Sequence, residues 1–449
     1  MKITKIQTVS IFLLLCLLIP STAHAYLDPG TGNALIYVIL SIASAALYLF
    51  KGFFYKFVNK KAGDKENGDI DYAIRNIVLF SEGKNYWKIF QLIVEKLIEK
   101  KQYFSYYTLD RNDPCLIIDD PYMENRYIGN GNNAFVKIGN LKANLVLVTT
   151  PNIGTDGYPI PRSAGIRELI YIPHSFDDIA FLHRGALDHY DAFMLTGDFQ
   201  IQSIRKIENK RGLPKKTLYP AGLPYLDVLI KKAKDVNKSN EEAINYLENR
   251  TTVLLAPSWG EKGFLSSYGT DFIKKLSQKG FMLIVRPHPQ SLKVEKKLIE
   301  KFKNDLHSCE NIVWDLKSDA EESFEKADIL VSDVSAIRFE FAMVYQKPFI
   351  TIPLAMTQEA LQEFEIADLG SSWTEEAMQK IGYGYTLKEN EIENLDQIIM
   401  KVLQQKSNEA ILDFRKRNIY NLGHSGEVIA DYLIEANIKI QNDVKRDMD

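Results

Sequence analysis

The sequence predicts an α/β protein of two parallel, doubly wound sheets with a membrane segment ahead of them. Three observations carry this. From Ile77 onward, short apolar runs alternate with stretches of helical period, the pattern of strand–helix–strand units. The alternation breaks near residues 233–250, around the polar, lysine-rich run 232–240, and then restarts. Two apolar segments, 9–19 and 34–50, precede all of it.

The N-terminal segments come first. Lys2 and Lys5 stand before the run 9–19, and Ala23-His24-Ala25 follows it. A basic start, a short apolar stretch and a small-residue site make residues 1–25 a signal peptide, or a first membrane helix if it is not cleaved. The second run, extended by Phe53, Phe54 and Tyr55, makes a transmembrane helix over 34–58. Its length is near the lower end of the roughly 17–25 residues a span requires. Lys51, Lys56, Lys60, Lys61 and Lys65 follow directly, which places the rest of the chain on the cytoplasmic side. The expected location is the cell membrane, single- or two-pass, with the soluble part facing the cytoplasm.

The soluble part divides into an N-terminal domain over 70–235 and a C-terminal domain over 240–440. In the first, strands are expected over 77–80, 103–109, 145–149, 169–172 and 192–195, with helices over 87–100 and 199–209. In the second, strands are expected over 252–256, 281–285, 311–314, 328–331 and 348–352. Helices fall between them over 270–278, 292–303, 319–326 and 336–345, and the end is helical over 395–405, 409–420 and 426–438. A further short helix is expected over 241–249. Two similar halves joined by a short linker imply a cleft, and domain interfaces favour ligands.

Composition excludes some classes. With 46% hydrophobic and 25% charged residues the chain is not disordered. A net charge of −3 gives no pull toward nucleic acid. Three cysteines, Cys16, Cys115 and Cys309, are too few and too scattered for a disulfide framework or a zinc site. No G-x-x-x-x-G-K-[ST] loop, no G-x-G-x-x-G after a strand and no G-x-S-x-G elbow occurs. Nothing in the sequence asks for a metal or a cofactor.

The residues that suit chemistry stand at strand exits, where open α/β sheets gather ligands. Arg286-Pro287-His288-Pro289 ends the run 281–285, and Ser332-Asp333-Val334-Ser335 ends the run 329–331. The flanking prolines stiffen the backbone around His288. Arg286 offers a bidentate fork. Ser332, Asp333 and Ser335 open a helix, either as caps or as part of an anion site at its N-terminus. Ser258 and Trp259, in Ala256-Pro257-Ser258-Trp259-Gly260, leave another strand at the same sheet end. His174, after Pro173, is the first-half counterpart of His288, a base for an attacking hydroxyl. Asp177 or Asp178 would orient it; His183 and His189 are weaker candidates.

These motifs resemble the CDP-glycerol glycerophosphotransferase family, the teichoic-acid primases and polymerases. The resemblance spans roughly residues 140–440. It implies two Rossmann-like domains of the GT-B type, the first on the acceptor side and the second on the nucleotide-donor side. It also implies transfer of glycerol phosphate from a CDP-linked donor to an acceptor hydroxyl, with release of CMP. His174 then matches the general base, and His288 and the serines match groups on the donor's phosphates. Pro173-His174-Ser175 departs from the family's usual Trp-His-Gly. The expected partners are a CDP-polyol donor, an envelope polymer or lipid-linked acceptor, and the membrane, with no nucleic acid. Two other readings remain open: a GT-B glycosyltransferase using a nucleotide sugar, and an inactive membrane-anchored scaffold.

Overall fold

The computed structural model describes residues 74–448, apart from 177, 240–249, 261–262, 318–319, 334, 354–360 and 406. The expected signal and transmembrane segments, and the expected helix over 241–249, lie outside the described residues. Among those described, no helix is long and apolar enough to cross a membrane.

Two all-parallel sheets form the core. The first has seven strands: β1 (Arg75–Ser81), β2 (Phe104–Thr108), β3 (Met123–Tyr127), β4 (Ala143–Val148), β5 (Ile166–Tyr171), β6 (Ala192–Leu195) and β7 (Thr217–Pro220). Its order is β3-β2-β1-β4-β5-β6-β7. The second has six: β8 (Thr252–Ala256), β9 (Met282–Val285), β10 (Ile312–Trp314), β11 (Ile329–Ser332), β12 (Phe349–Thr351) and β13 (Gly384–Thr386). Its order is β10-β9-β8-β11-β12-β13. Both follow the doubly wound 3-2-1-4-5-6 pattern, so each has a switch point where the chain reverses its direction of travel. The points lie between β1 and β4 and between β8 and β11.

The central strands are buried on both faces, which is why they read as unbroken apolar runs. Leu79, Leu145 and Leu147 face one layer, with Phe90 and Ile93 of the helix Trp87–Glu99. Phe80, Val146 and Val148 face the other. Three strands carried no such signal. β3 (Met-Glu-Asn-Arg-Tyr) and β7, which ends in Pro220, are sheet edges, and β13 is a three-residue edge. Edge strands bury fewer side chains and tolerate charge and proline.

The break expected around 232–240 is not a loop as far as 239. The helix Pro224–Ser239 runs through it. Lys231 and Lys232 are exposed, while Leu226, Leu229 and Ala233 pack into the second half's core. The helix expected over 292–303 is instead two, Ser291–Val294 and Lys296–Asp305.

The halves share that core. Phe176 and Phe199 of the first pack with Leu254, Leu330 and Phe339 of the second. Phe199 stacks on Trp373 at 4.4 Å between ring centroids. An ion cluster closes the same seam: Arg184, Lys210 and Arg211 hold Asp368, and Arg211 also holds Glu365 and Asp188. The last helix, Ser425–Met448, crosses back to the first sheet, where Ile429, Ala430 and Leu433 join Ile77 and Leu79. Asn437 and Gln441 bond Asn144 and Asn76 there.

One buried acid sits on this seam. Tyr225 donates to Glu340 Oε2 at 2.8 Å, joining the helices Pro224–Ser239 and Ile337–Tyr345. Burial lifts the Glu340 carboxyl to about 7, against the pull of Tyr225 and Lys88. A carboxyl raised in the folded state contributes stability below its ordinary 4.5 and loses it as pH climbs from there toward 7. Glu340→Gln keeps the acceptor without the charge. Urea unfolding is expected to show it more stable than the parent by about 3 kcal/mol at pH 8 and unchanged at pH 4; equal curves at both pH values would refute this.

Candidate functional site

The switch point of the second sheet is closed by a carboxylate. β8 and β11 run in register, with Ala256 beside Ser332, and both chains then leave the sheet. Asp333, fully buried, takes three donors across the gap. Its Oδ1 accepts the Ser258 N–H at 2.8 Å; its Oδ2 accepts the Ser258 hydroxyl at 2.8 Å and the Phe264 N–H at 3.1 Å. A buried carboxylate without a cation survives on such donors. Beside it, the Ser332 hydroxyl donates to the Ala256 carbonyl. Ser258, Ser332 and Asp333 therefore hold the strand exits together.

His288 stands next to this hub, at the exit of β9. Its Nδ1 accepts the Gln290 N–H at 3.1 Å, so a neutral ring carries its proton on Nε2 and points that donor elsewhere. Burial pulls the imidazole below its usual range, while the negative charges of Asp333 and Glu295 push it back up. Glu295 in turn accepts the Gly260 N–H at 3.1 Å. His288, Asp333, Glu295 and the loop after β8 thus share one neighbourhood.

Ser335 precedes the helix Ile337–Tyr345, whose N-cap Ala336 offers no side-chain cap. The Arg338 and Phe339 N–H groups turn back onto the Ser335 and Ala336 carbonyls at 3.3 and 3.0 Å, and the Ala336 and Ile337 N–H groups make no hydrogen bond among the described residues. Arg338, almost fully enclosed beneath, bonds the Ser335 carbonyl at 2.8 Å and Glu375 at 2.5 Å. The Ser335 backbone is fixed while its half-buried side chain makes no hydrogen bond among the described residues.

Arg286 is placed differently. Its guanidinium is buried and bonds Asp315 at 2.5 Å, at the exit of β10. Asp315 also takes the Ser323 hydroxyl at 2.5 Å and the Lys317 N–H at 3.0 Å, and these partners with Arg286 outweigh burial and hold its carboxyl below the usual range. Arg286 thereby pins two strand exits beside His288. Trp259 is 53% exposed and belongs to neither a core nor a closed wall.

His174 follows β5 in the first half. Its ring meets Tyr86 edge-on at 6.0 Å, its Nδ1 is buried without a hydrogen bond, and burial lowers its proton affinity. The Asp178 carboxylate takes the Ala180 N–H, the Ser372 hydroxyl and the Thr374 N–H. Asp177 lies outside the described residues. His183 and His189 are exposed, His183 stacking on Phe364. No hydrogen bond or ring contact joins His174 to His288 among the described residues. Phe176, two residues after His174, meets Phe339 at 6.3 Å between ring centroids, in the first turn of the helix that Ser335 precedes.

Comparison with known proteins follows this geometry. Residues 184–354 match the model of the CDP-Glycerol:Poly(glycerophosphate) glycerophosphotransferase family. The matched segment holds Ser258, Trp259, Arg286, His288, Ser332, Asp333 and Ser335; His174 precedes it. No curated protein matches in sequence. Among solved structures, the wall teichoic acid polymerase TagF, in a variant soaked with CDPG, aligns over 90% of this chain and 99% of its own at 16% identity and a TM-score of 0.51. The UDP-GlcNAc 2-epimerase of Methanocaldococcus jannaschii aligns over 80% of this chain and 99% of its own at 14% identity and a TM-score of 0.51. That of Neisseria meningitidis does so over 81% and 99% at 14% identity and 0.50. These likenesses show a common two-sheet α/β fold of the GT-B kind.

Glu82 at the exit of β1 escaped sequence reading. Its one signal was position, directly after an apolar run at a switch point.

The hub makes a graded prediction. Asp333→Ala strands two buried N–H groups and is expected to cost about 3 kcal/mol or more, whereas Ser258→Ala removes one hydroxyl and costs about 1. Titration of His288 by NMR should also show its pKa falling in Asp333→Ala, because the charge that raises it is gone. An unmoved His288 would contradict the arrangement.

Proposed function

We propose that this protein is a membrane-anchored, cytoplasm-facing transferase. It moves a polyol phosphate, glycerol phosphate first among the options, from a CDP-linked donor to a hydroxyl on a cell-envelope glycan or lipid-linked precursor. The observation that carries the reading is the joining of His288, Asp333 and the uncapped helix start after Ser335 at one switch point, inside the family-matched segment. The anchor rests on the apolar run 34–50 and the lysines after it.

The chemistry follows from the groups. The acceptor hydroxyl attacks the phosphorus that bears glycerol; its proton passes to His174, whose burial keeps the ring neutral and able to receive it. The bond from that phosphorus to the bridging oxygen breaks, and CMP leaves with the electron pair. His288 Nε2–H and the helix N-terminus stabilise charge on the departing phosphate. Ser258, Ser332, Asp333 and Arg286 keep those donors in place through the bonds described above, and Trp259 offers an exposed aromatic face at the same exit.

The full-length protein, CDP-glycerol and a lipid-linked acceptor should release CMP. His174→Ala and His288→Ala should each lower the rate about 10²–10³-fold. The acid limb of the pH profile should fall below 6.5, because a base whose proton affinity is lowered stays neutral further into acid. No CMP above the His288→Ala background would overturn the proposal. A thermal-shift panel separates it from the nucleotide-sugar reading: CDP-glycerol should stabilise the protein more than UDP-sugars.

A further inference from the structure

Four of the five buried side-chain atoms that make no hydrogen bond among the described residues lie along one sheet edge. They are Thr149 Oγ1, Thr150 Oγ1, His174 Nδ1 and Thr196 Oγ1. The threonines follow β4 and β6, and His174 follows β5, so three neighbouring strands of the first sheet end in unmatched polar atoms. Each such atom costs about 1–3 kcal/mol. A ligand offering matching groups recovers that cost.

β1 completes the edge. Phe80 lies beside Val148 in the register of β1 with β4, and two residues further on come Glu82 and Thr150. They flank the first sheet's switch point, the counterpart of the place that Asp333 closes in the second. Among the described residues, no buried carboxylate bridges this gap as Asp333 bridges the other. The Tyr158 hydroxyl donates to Glu82 Oε1 at 3.5 Å, and the Tyr86 and Thr150 side chains face the same carboxyl. Thr150 lies near enough to favour the charged acid, although its hydroxyl falls short of good hydrogen-bond geometry. Tyr86 then carries the cluster to His174 through its edge-on ring. Burial raises Glu82 above the usual carboxylate range, and burial together with Glu82 pushes Tyr86 and Tyr158 to about 12, so both phenols remain proton donors at neutral pH.

The lining is a carboxyl, two phenols, threonine hydroxyls and an imidazole. None of these is a fixed cation, and a phosphate would meet the Glu82 charge. A neutral polyol or sugar suits them, since its hydroxyls donate to the carboxyl and accept from the phenols at once. We infer that Glu82, with Tyr86, Thr150 and Tyr158, binds the neutral polyol or sugar end of the acceptor and sets its hydroxyl beside His174. The word acceptor rests on the transfer reading above; the ligand class does not. A site built on hydroxyl recognition discriminates strongly against ends that lack one.

Saturation-transfer NMR on the full-length protein tests this without any donor. Glycerol and methyl glucoside are the neutral probes, and inorganic phosphate is the charged one. The neutral probes should bind the parent protein, bind Glu82→Ala at least tenfold more weakly, and bind Tyr158→Phe with an intermediate loss, while phosphate fails to displace them. Equal binding by parent and Glu82→Ala, binding of phosphate alone, or binding of no neutral probe would overturn the inference. Should Glu82→Ala fail to fold, Glu82→Gln, which keeps the shape, carries the comparison at the parent's thermal midpoint. In turnover, Glu82→Gln should raise the acceptor KM at least tenfold and leave the CDP-glycerol KM alone. A merely structural residue would move both. If the parent binds polyol but releases no CMP, the transfer reading fails and the pocket stands.

Discussion

The carboxylate of Asp333 is the constraint on which the second half's site depends. It lies fully buried with no ion pair among the described residues, held by two backbone N–H groups and a serine hydroxyl. Each donor comes from the segment that leaves β8, so one charge fixes the exits of two strands. The same charge reaches His288 and holds its proton affinity up against burial. Structure and electrostatics thus meet in one group. Arg286 does similar work one strand over, tying β9 to the segment after β10 through Asp315.

The two halves cooperate because they are not separable. Aromatic packing around Phe176, Phe199 and Phe339, the cluster around Asp368, and the returning C-terminal helix bind them into one unit over 67–449. His174 is set by its own sheet, but Phe176 of the loop that bears it contacts the helix Ile337–Tyr345 of the second half. A transfer reaction needs such a seam, since two substrates must meet with their reacting atoms held close.

Much of this was legible in the sequence, for a physical reason. Central parallel strands must be apolar throughout, so β1, β4, β6, β8 and β11 announced themselves, and residues at their exits were then natural site candidates. His288, Ser258 and Asp333 do converge. What stayed hidden were features that sequence pattern does not encode. Edge strands β3, β7 and β13 bury too little to leave a signature. The helix Pro224–Ser239 looked like a linker because its second half is polar and rich in lysine. Arg286 read as a bidentate fork, and its pairing with Asp315, 29 residues away in the chain, stayed hidden. Glu82 was invisible because a lone glutamate after a strand carries no motif; only the register of β1 against β4 shows what it faces.

A structure of the full-length protein with CDP-glycerol bound tests the central claim most directly. The diphosphate should lie against His288 Nε2 and the start of the helix Ile337–Tyr345, with the glycerol directed to His174. A nucleotide seated elsewhere, as in the cavity that Arg250, Lys279 and Lys401 line near the opposite ends of β8 and β9, would contradict it.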